Sequence, residues 1–346
     1  MSFLQCLEGS TLKIAFVLPG SGLSGGTKTV FELAKRLNAL PLFNSVVVTD
    51  LFPSWFNDPP PLILNSPVKS DLSAYDVIIT TFYNQKALYK IWGQKKLHLH
   101  LCQGYEGDYL EDLHMESLRK EVEDFYRLPY PKMVVSRFLI PKLQNLTSAP
   151  IYYVGQAIDL SLFKPDPQVP KDTVLIVGQF ELPFKGVKKA LLLAQKIKER
   201  YPYIKVVRVS PTDTREKEAS FEIDEFLVAV SPSEMPKLYH RALLSIYFPS
   251  KEGFGLPVLE SLACGTPVIG SDIPALREIC GPQYPLFSSP HGGLNFAISL
   301  LENLDYYQTI VQQGLKRAKL FTFKKLIIRF LLGIFKGWWY YRTQKI

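Results

Sequence analysis

The chain has 346 residues, 47% of them apolar, with 40 Lys and Arg against 32 Asp and Glu, a net charge of +8 and a pI of about 9.1. That length allows two domains with real cores, and the basic balance suits anionic partners, with nucleic acid ranked last because no basic block is interleaved with stacking aromatics. Cys6, Cys102, Cys264 and Cys280 form no C-x-x-C pair, which argues against a zinc site or disulfide framework and for reduced thiols in a cytoplasmic protein; "MSFLQCLEGS" is no signal peptide, and no apolar run reaches the ~18 residues of a membrane span.

The first apolar run, "LKIAFVLPG", reads as a buried strand, and "TVFELAKRLNAL" as the helix that follows. Between them lies "PGSGLSGGTKTV", in which Gly20, Gly22 and Gly25 spell G-x-G-x-x-G. The next strand, "SVVVTD", ends in Asp50, where a dinucleotide domain places its ribose-binding acid. "GGTKT" is no P-loop, because Thr27 stands where that pattern needs glycine before its lysine. "YDVIITTF", "KLHLHLC" and "KMVVSRF" continue as strands, with "LHMESLRKEVEDFYRL" as a helix. His98 and His100 share one strand face with no third ligand at metal spacing, so they read as packed or hydrogen-bonded histidines. Glu106, in "QGYEGDY", is either an acceptor contact or a solvated loop acid.

Phe163 to Asp172, "FKPDPQVPKD", is polar and proline-rich and reads as a linker. The pattern then restarts, with strands "TVLIVGQF", "IKVVRVS", "ALLSIYFPS" and "TPVIGSD" and helices "VKKALLLAQKIKERY", "PVLESLACG" and "IPALREICG". Such alternation implies two mainly parallel, doubly wound α/β domains, with the crevice between them as the default ligand site. The expected division is an N-terminal domain over 1–158 and a C-terminal one over 159–320. The tail 321–346, "FTFKKLIIRFLLGIFKGWWYYRTQKI", mixes an apolar stripe with cations and a Trp-Trp-Tyr-Tyr cluster. It reads either as a last helix packing on the domains, above all back on the first, or as an interfacial helix on an anionic membrane.

The most informative stretch is "YFPSKEGFGLPVLESLACGTPVIGSDIPALREI". Pro257 suits the first position of a helix and Gly265 its end, so the loop Gly253 to Leu256 sits over a helix N-terminus. Free N–H groups and the helix dipole there favour phosphate. Glu260, one turn inside, is placed to accept hydrogen bonds from ribose hydroxyls, and Glu252 flanks the loop's other end.

Glu252 and Glu260, seven residues between them, match the E-x7-E motif of retaining GT-B glycosyltransferases, and "EGFGLPVLESLACGTPVIGSD" resembles the family-4 branch. So do "SPSEMPKLYHRALLSIYFPS", "VGQAIDLSLFKP" and "VGQFELPFKGVKKALLLAQKI", while "HLCQGYEGDYL" and "FYRLPYPKMVVSRFL" resemble acceptor-side segments of bacterial rhamnosyl- and hexosyltransferases. The resemblance covers most of the chain and is most specific in the second half. It implies a GT-B fold, two Rossmann-like domains facing a central cleft. The implied reaction is retaining transfer of a hexose or deoxyhexose from a nucleotide-diphosphate sugar to a saccharide or lipid-linked saccharide. By matching motif, Glu260 would bind ribose, Glu252 the sugar hydroxyls, and the backbone of Gly253, Phe254, Gly255 and Leu256 the sugar and phosphates. Lys185 would neutralise the leaving diphosphate. Gly25 and Gly26 would lie near the donor phosphates and the acceptor, with Thr27 adding a hydroxyl and Glu106 touching the acceptor. Many relatives carry an arginine where this chain has Gln179, which supplies no charge. With no Asp-x-Asp pair present, no obligatory metal or resident cofactor is expected, and the nucleotide sugar is a co-substrate. The expected location is cytoplasmic, possible membrane contact being peripheral. Three rival readings stand beside this one: a nicotinamide oxidoreductase using Gly20, Gly22, Gly25 and Asp50, a non-catalytic sugar- or nucleotide-sugar-binding subunit, and an interaction protein on the membrane resting on the basic aromatic tail.

Overall fold

A computed structural model describes residues 11–56, 58–66 and 69–343; the leader reading and Cys6 fall outside them. The chain divides into two compact units. One runs through Gln156 and takes up the chain again from Lys324; the other is Ala157–Phe323.

The first unit contains β1 (Leu12–Val17), α1 (Gly25–Asn38), β2 (Phe43–Thr49), β3 (Leu62–Leu64), β4 (Val77–Thr80), α2 (Lys86–Trp92), β5 (Leu97–Cys102), α3 (Arg119–Tyr126), β6 (Lys132–Val134), α4 (Leu139–Gln144) and β7 (Ile151–Tyr153). Its strands are all parallel, in the order β3-β2-β1-β4-β5-β6-β7. β4 and β5 are buried along their whole length, which is why they read as continuous apolar runs rather than alternating ones.

The second unit contains β8 (Thr173–Val177), α5 (Val187–Arg200), β9 (Lys205–Ser210), β10 (Glu225–Val228), α6 (Met235–Arg241), β11 (Ala242–Tyr247), α7 (Leu256–Ala263), β12 (Val268–Gly270), α8 (Pro274–Cys280), α9 (Pro290–Glu302) and α10 (Leu304–Ala318). Its parallel sheet runs β10-β9-β8-β11-β12. In each sheet the winding reverses once, between β1 and β4 and between β8 and β11. Loops at the carboxyl ends of those strands are where open α/β sheets bind ligands.

The last helix, α11 (Phe323–Thr343), buries Leu326, Phe330, Gly333, Ile334 and Gly337. Phe330 stacks on Phe16 with ring centroids 5.7 Å apart. A Cβ at Gly337 would lie 2.7 Å from Leu99 and one at Gly333 2.9 Å from Met133, so the two glycines let the helix press close against β5 and β6.

Two expectations need correction. The stretch "LHMESLRKEVEDFYRL" is helical only as a 3₁₀ turn at Glu116–Leu118 and as α3. His114 has φ +54°, a left-handed backbone that no α-helix can pass through. Phe163 to Asp172 is not a free linker. Phe163 is 2% exposed and lies against Tyr239, and Asp172 N–H is bonded to Arg241 O at 3.0 Å, so the segment belongs to the second unit.

Candidate functional site

In the second unit the two loops at the switch point are tied together. Ser250 N–H, after β11, donates to Phe184 O, after β8, at 2.9 Å. Gly186 has φ +65°, and a Cβ there would stand 1.8 Å from Phe248 O, so only glycine permits this approach. The short turn Pro183–Lys185 is thereby pressed against the end of β11, and Lys185 Nζ reaches Glu252 Oε2 at 2.8 Å. These side chains are 67 residues apart in sequence.

Glu252 is 11% exposed and Lys185 25%. Tyr247 donates its hydroxyl to Glu252 Oε2, and Gly253 N–H donates to Oε1 at 3.0 Å. Burial pulls the Glu252 pKa up, but the Lys185 cation and the hydrogen bonds from Lys185, Tyr247 and Gly253 outweigh it and hold it below the ordinary glutamate value. Glu252 is therefore a carboxylate at neutral pH.

Gly255 caps α7 with φ +104° and packs its open side against Leu276 and Ile279. The helix starts at Leu256, so Pro257 is its second residue rather than its first. The missing N–H is harmless there too, because the first turn has no intrahelical acceptors. At the other end Thr266 N–H bonds Ser261 O and left-handed Gly265 bonds Leu262 O, a Schellman closure. Phe254 turns its ring inward, 3% exposed and edge-on to Phe321, so the loop offers its backbone. Glu260 is 6% exposed and accepts from Tyr239 Oη, on α6, at 3.1 Å. Gln179 is half-buried in the loop after β8, six residues before Lys185.

In the first unit, Gly25, Gly26 and Thr27 open α1. Ser24 caps it, accepting from Thr27 N–H at 3.1 Å, and its hydroxyl is also 2.8 Å from that of Thr27, so the Thr27 hydroxyl is engaged in the cap. A Cβ at Gly26 would lie 3.1 Å from Gln103 Oε1. The Gln103 carboxamide, just after β5, occupies that space, and its Oε1 is buried without a hydrogen-bond partner among the described residues. At Gly20 a Cβ would meet only the Asp50 carboxylate, at 3.8 Å, and at Gly22 nothing within 4 Å; neither has positive φ. Neither the backbone conformation nor the packing of neighbouring residues therefore requires glycine at Gly20 or Gly22.

Glu106 is not a solvated acid. It is 9% exposed, and Tyr126 Oη donates to its Oε2 at 2.5 Å. Burial drives its pKa up to about 7, against the opposing hydrogen bonds. His98 and His100 are buried among Tyr89, Tyr130, Phe125 and Tyr126. Cys102, Cys264 and Cys280 are free and buried, each thiol pushed up to about 12 by burial. Among the described residues no group of three His, Cys, Asp or Glu could hold a metal ion.

Lys185 and Gly253 thus both bond Glu252, at Oε2 and Oε1 respectively, and Glu260 has its own buried partner, Tyr239. Tyr247, Tyr239 and Gln103 were not anticipated. Tyr247 and Gln103 carry one weak signal: each stands at the carboxyl end of a central strand, where ligand-facing side chains concentrate.

Residues 159–292 match the family model described as glycosyl transferases group 1. Over 166 residues the chain is 28% identical to O-antigen chain mannosyltransferase B of Escherichia coli, covering 43% of this chain and 42% of that protein. Over 139 residues it is 28% identical to the MMP alpha-(1->4)-mannosyltransferase of Mycolicibacterium hassiacum, covering 38% and 34%. The matched stretches span less than half the length of these curated relatives. The fold is similar to sucrose-phosphate synthase from Thermosynechococcus elongatus, with TM-score 0.76, 16% identity and coverage of 92% and 97%. It is also similar to Anabaena HepE, solved in complex with UDP and glucose, with TM-score 0.72, 14% identity and coverage of 92% and 98%. The architecture is the GT-B fold of glycosyltransferases.

Proposed function

From the premise that residues 159–292 belong to the glycosyl transferases group 1 family on a GT-B fold, we propose that this chain transfers a hexose from a nucleoside-diphosphate sugar to a saccharide hydroxyl, with retention at the anomeric carbon. The named relatives make mannose the first candidate sugar. The observation that carries the reading is the Lys185–Glu252 contact at the carboxyl edge of the second sheet's switch point, one loop away from the start of α7.

The donor diphosphate lies on the N–H groups at the start of α7, where the helix dipole favours negative charge. Lys185 leaves Glu252 for the diphosphate, meeting charge that grows as the bond to the sugar breaks. That exchange frees a Glu252 oxygen for sugar hydroxyls. Glu260, steadied by Tyr239, takes the ribose. The C1–O bond to the diphosphate breaks, a C1–O bond to the acceptor forms on the same face, and the acceptor proton passes to the departing diphosphate. The chain supplies positioning and fixed charge, which can carry much of such a barrier. No resident cofactor enters this scheme. The acceptor, free or lipid-linked, is assigned to the first unit, with Gly26, Gln103 and Glu106 as candidate contacts.

The test is nucleotide release from UDP-, GDP- and dTDP-linked sugars, GDP-mannose included, by wild type and Glu260→Ala. Release from one donor class that the variant loses supports the assignment. Saturable NAD binding without donor binding overturns it. Gln179 favours a second reading, a donor-binding subunit without turnover; donor binding without release across an acceptor panel, with turnover appearing in Gln179→Arg, would support that one.

A further inference from the structure

Helix α11 has two apolar faces. The first, with Leu326, Phe330 and Ile334, is buried against the first unit. The second runs Ile328, Leu332, Phe335 and Trp339, at spacings of four, three and four, along one side of the helix. These side chains are 49%, 50%, 39% and 62% exposed. A helix that only covers a sheet turns polar residues to that side. Exposed Lys324, Lys325, Lys336 and Arg342 flank the stripe, and α11 contains no Asp or Glu.

We propose that this outward stripe of α11 lies in the boundary between headgroups and acyl chains of an anionic lipid surface, the helix axis in the membrane plane. Large apolar side chains on one line, cations beside them and a tryptophan near one end are what such an interface selects. A transmembrane role is excluded for this helix, since no helix among the described residues is long and apolar enough to cross. A second copy of the chain is disfavoured as occupant, because two such faces would bring like charges together. Anionic headgroups instead complement every charge on the helix. The proposal is independent of the transferase reading.

The experiment is co-sedimentation of the full chain with phosphatidylcholine vesicles, with and without about 30% phosphatidylglycerol. The stripe variant is Ile328→Gln/Leu332→Gln/Trp339→Gln. The charge variant replaces Lys324, Lys325, Lys336 and Arg342 with Gln. Neither touches the buried face, and wild-type melting temperatures will show that the fold is kept. We expect binding at least about tenfold stronger on the anionic vesicles, weakened about tenfold or more by either variant and by raising salt from about 0.1 to about 0.5 M. Absence of pelleting, equal pelleting on both vesicles, or pelleting that survives the stripe variant overturns the proposal. So does a concentration-dependent dimer that the stripe variant abolishes in a protein that ignores vesicles, because the face then belongs to a second copy. Nucleotide release on a soluble acceptor is expected to be unchanged in both variants, which separates this outcome from any failure of the transferase assignment.

Discussion

Lys185→Ala removes one partner of a half-hidden ion pair, and its two consequences differ in size. Losing one member of a fully buried pair costs about 3–5 kcal/mol, while an exposed pair contributes about 0–1 kcal/mol. Lys185 is 25% exposed, and Glu252 keeps the Tyr247 hydroxyl and Gly253 N–H, so the stability loss is placed at about 1–2 kcal/mol. For a unit of this size that lowers Tm by roughly 2–8 °C. Losing a charge that acts on the departing diphosphate costs more, about 10²–10³-fold in kcat. The pH dependence has a definite sign. The Glu252 pKa is depressed in the folded wild type, so its contribution to stability is present above the ordinary glutamate pKa and fades as pH falls through the folded value. Without the cation the Glu252 pKa rises relative to wild type, so the Tm gap between wild type and variant is widest near neutrality and narrows as pH falls toward the depressed wild-type value. Steady-state nucleotide release and melting curves between pH 4 and 8 read both effects, with Lys185→Arg as the charge-keeping control. A kcat within threefold of wild type, or a loss confined to KM, would refute the transition-state role.

Gly186→Ala forces a side chain to within 1.8 Å of Phe248 O at φ +65°. The left-handed strain alone costs about 1–2 kcal/mol, and the carbonyl must also move, so thermal melting should show a larger stability loss than for Lys185→Ala, with turnover falling as Lys185 shifts. Tyr239→Phe strips a hydroxyl donor from buried Glu260; calorimetry should show donor binding weakened about tenfold, in line with about 1–3 kcal/mol for an acceptor left short of a donor. Glu106 titrates near 7 in the folded chain and near 4.3 when unfolded, so wild-type stability falls as pH rises between those values, by an amount on the order of 3 kcal/mol. Glu106→Gln removes that slope, and melting curves at pH 5 and pH 8 should show the variant gaining on wild type at the higher pH; parallel curves would refute the buried-acid assignment.

Most central strands and the helices beside the site were legible because their signals are local. β4, β5 and β11 are apolar runs bounded by turn residues, and α1, α5 and α7 carry helical periods with caps. The strands left unread, β3, β7 and β10, are three of the four sheet edges, three or four residues long and largely half-buried, too short and too mixed for a period to show; the fourth edge, β12, is fully buried and was legible as an apolar run. Glu252, Glu260 and the glycine loop could be picked out because their spacing lies within one loop and one helix. The Lys185–Glu252 contact could be named residue by residue but not paired, since nothing local relates two side chains 67 positions apart. The same limit applied to Gly26, whose missing side chain makes room for Gln103, and to Glu106, whose burial depends on Tyr126 arriving from α3. For α11 the sequence determined a helix with apolar and cationic residues, and left open whether it packs or faces lipid. Tertiary structure decided that one apolar face is covered and the other exposed, because burial is a property of what comes to lie alongside a residue in space, which periodicity along the chain does not encode.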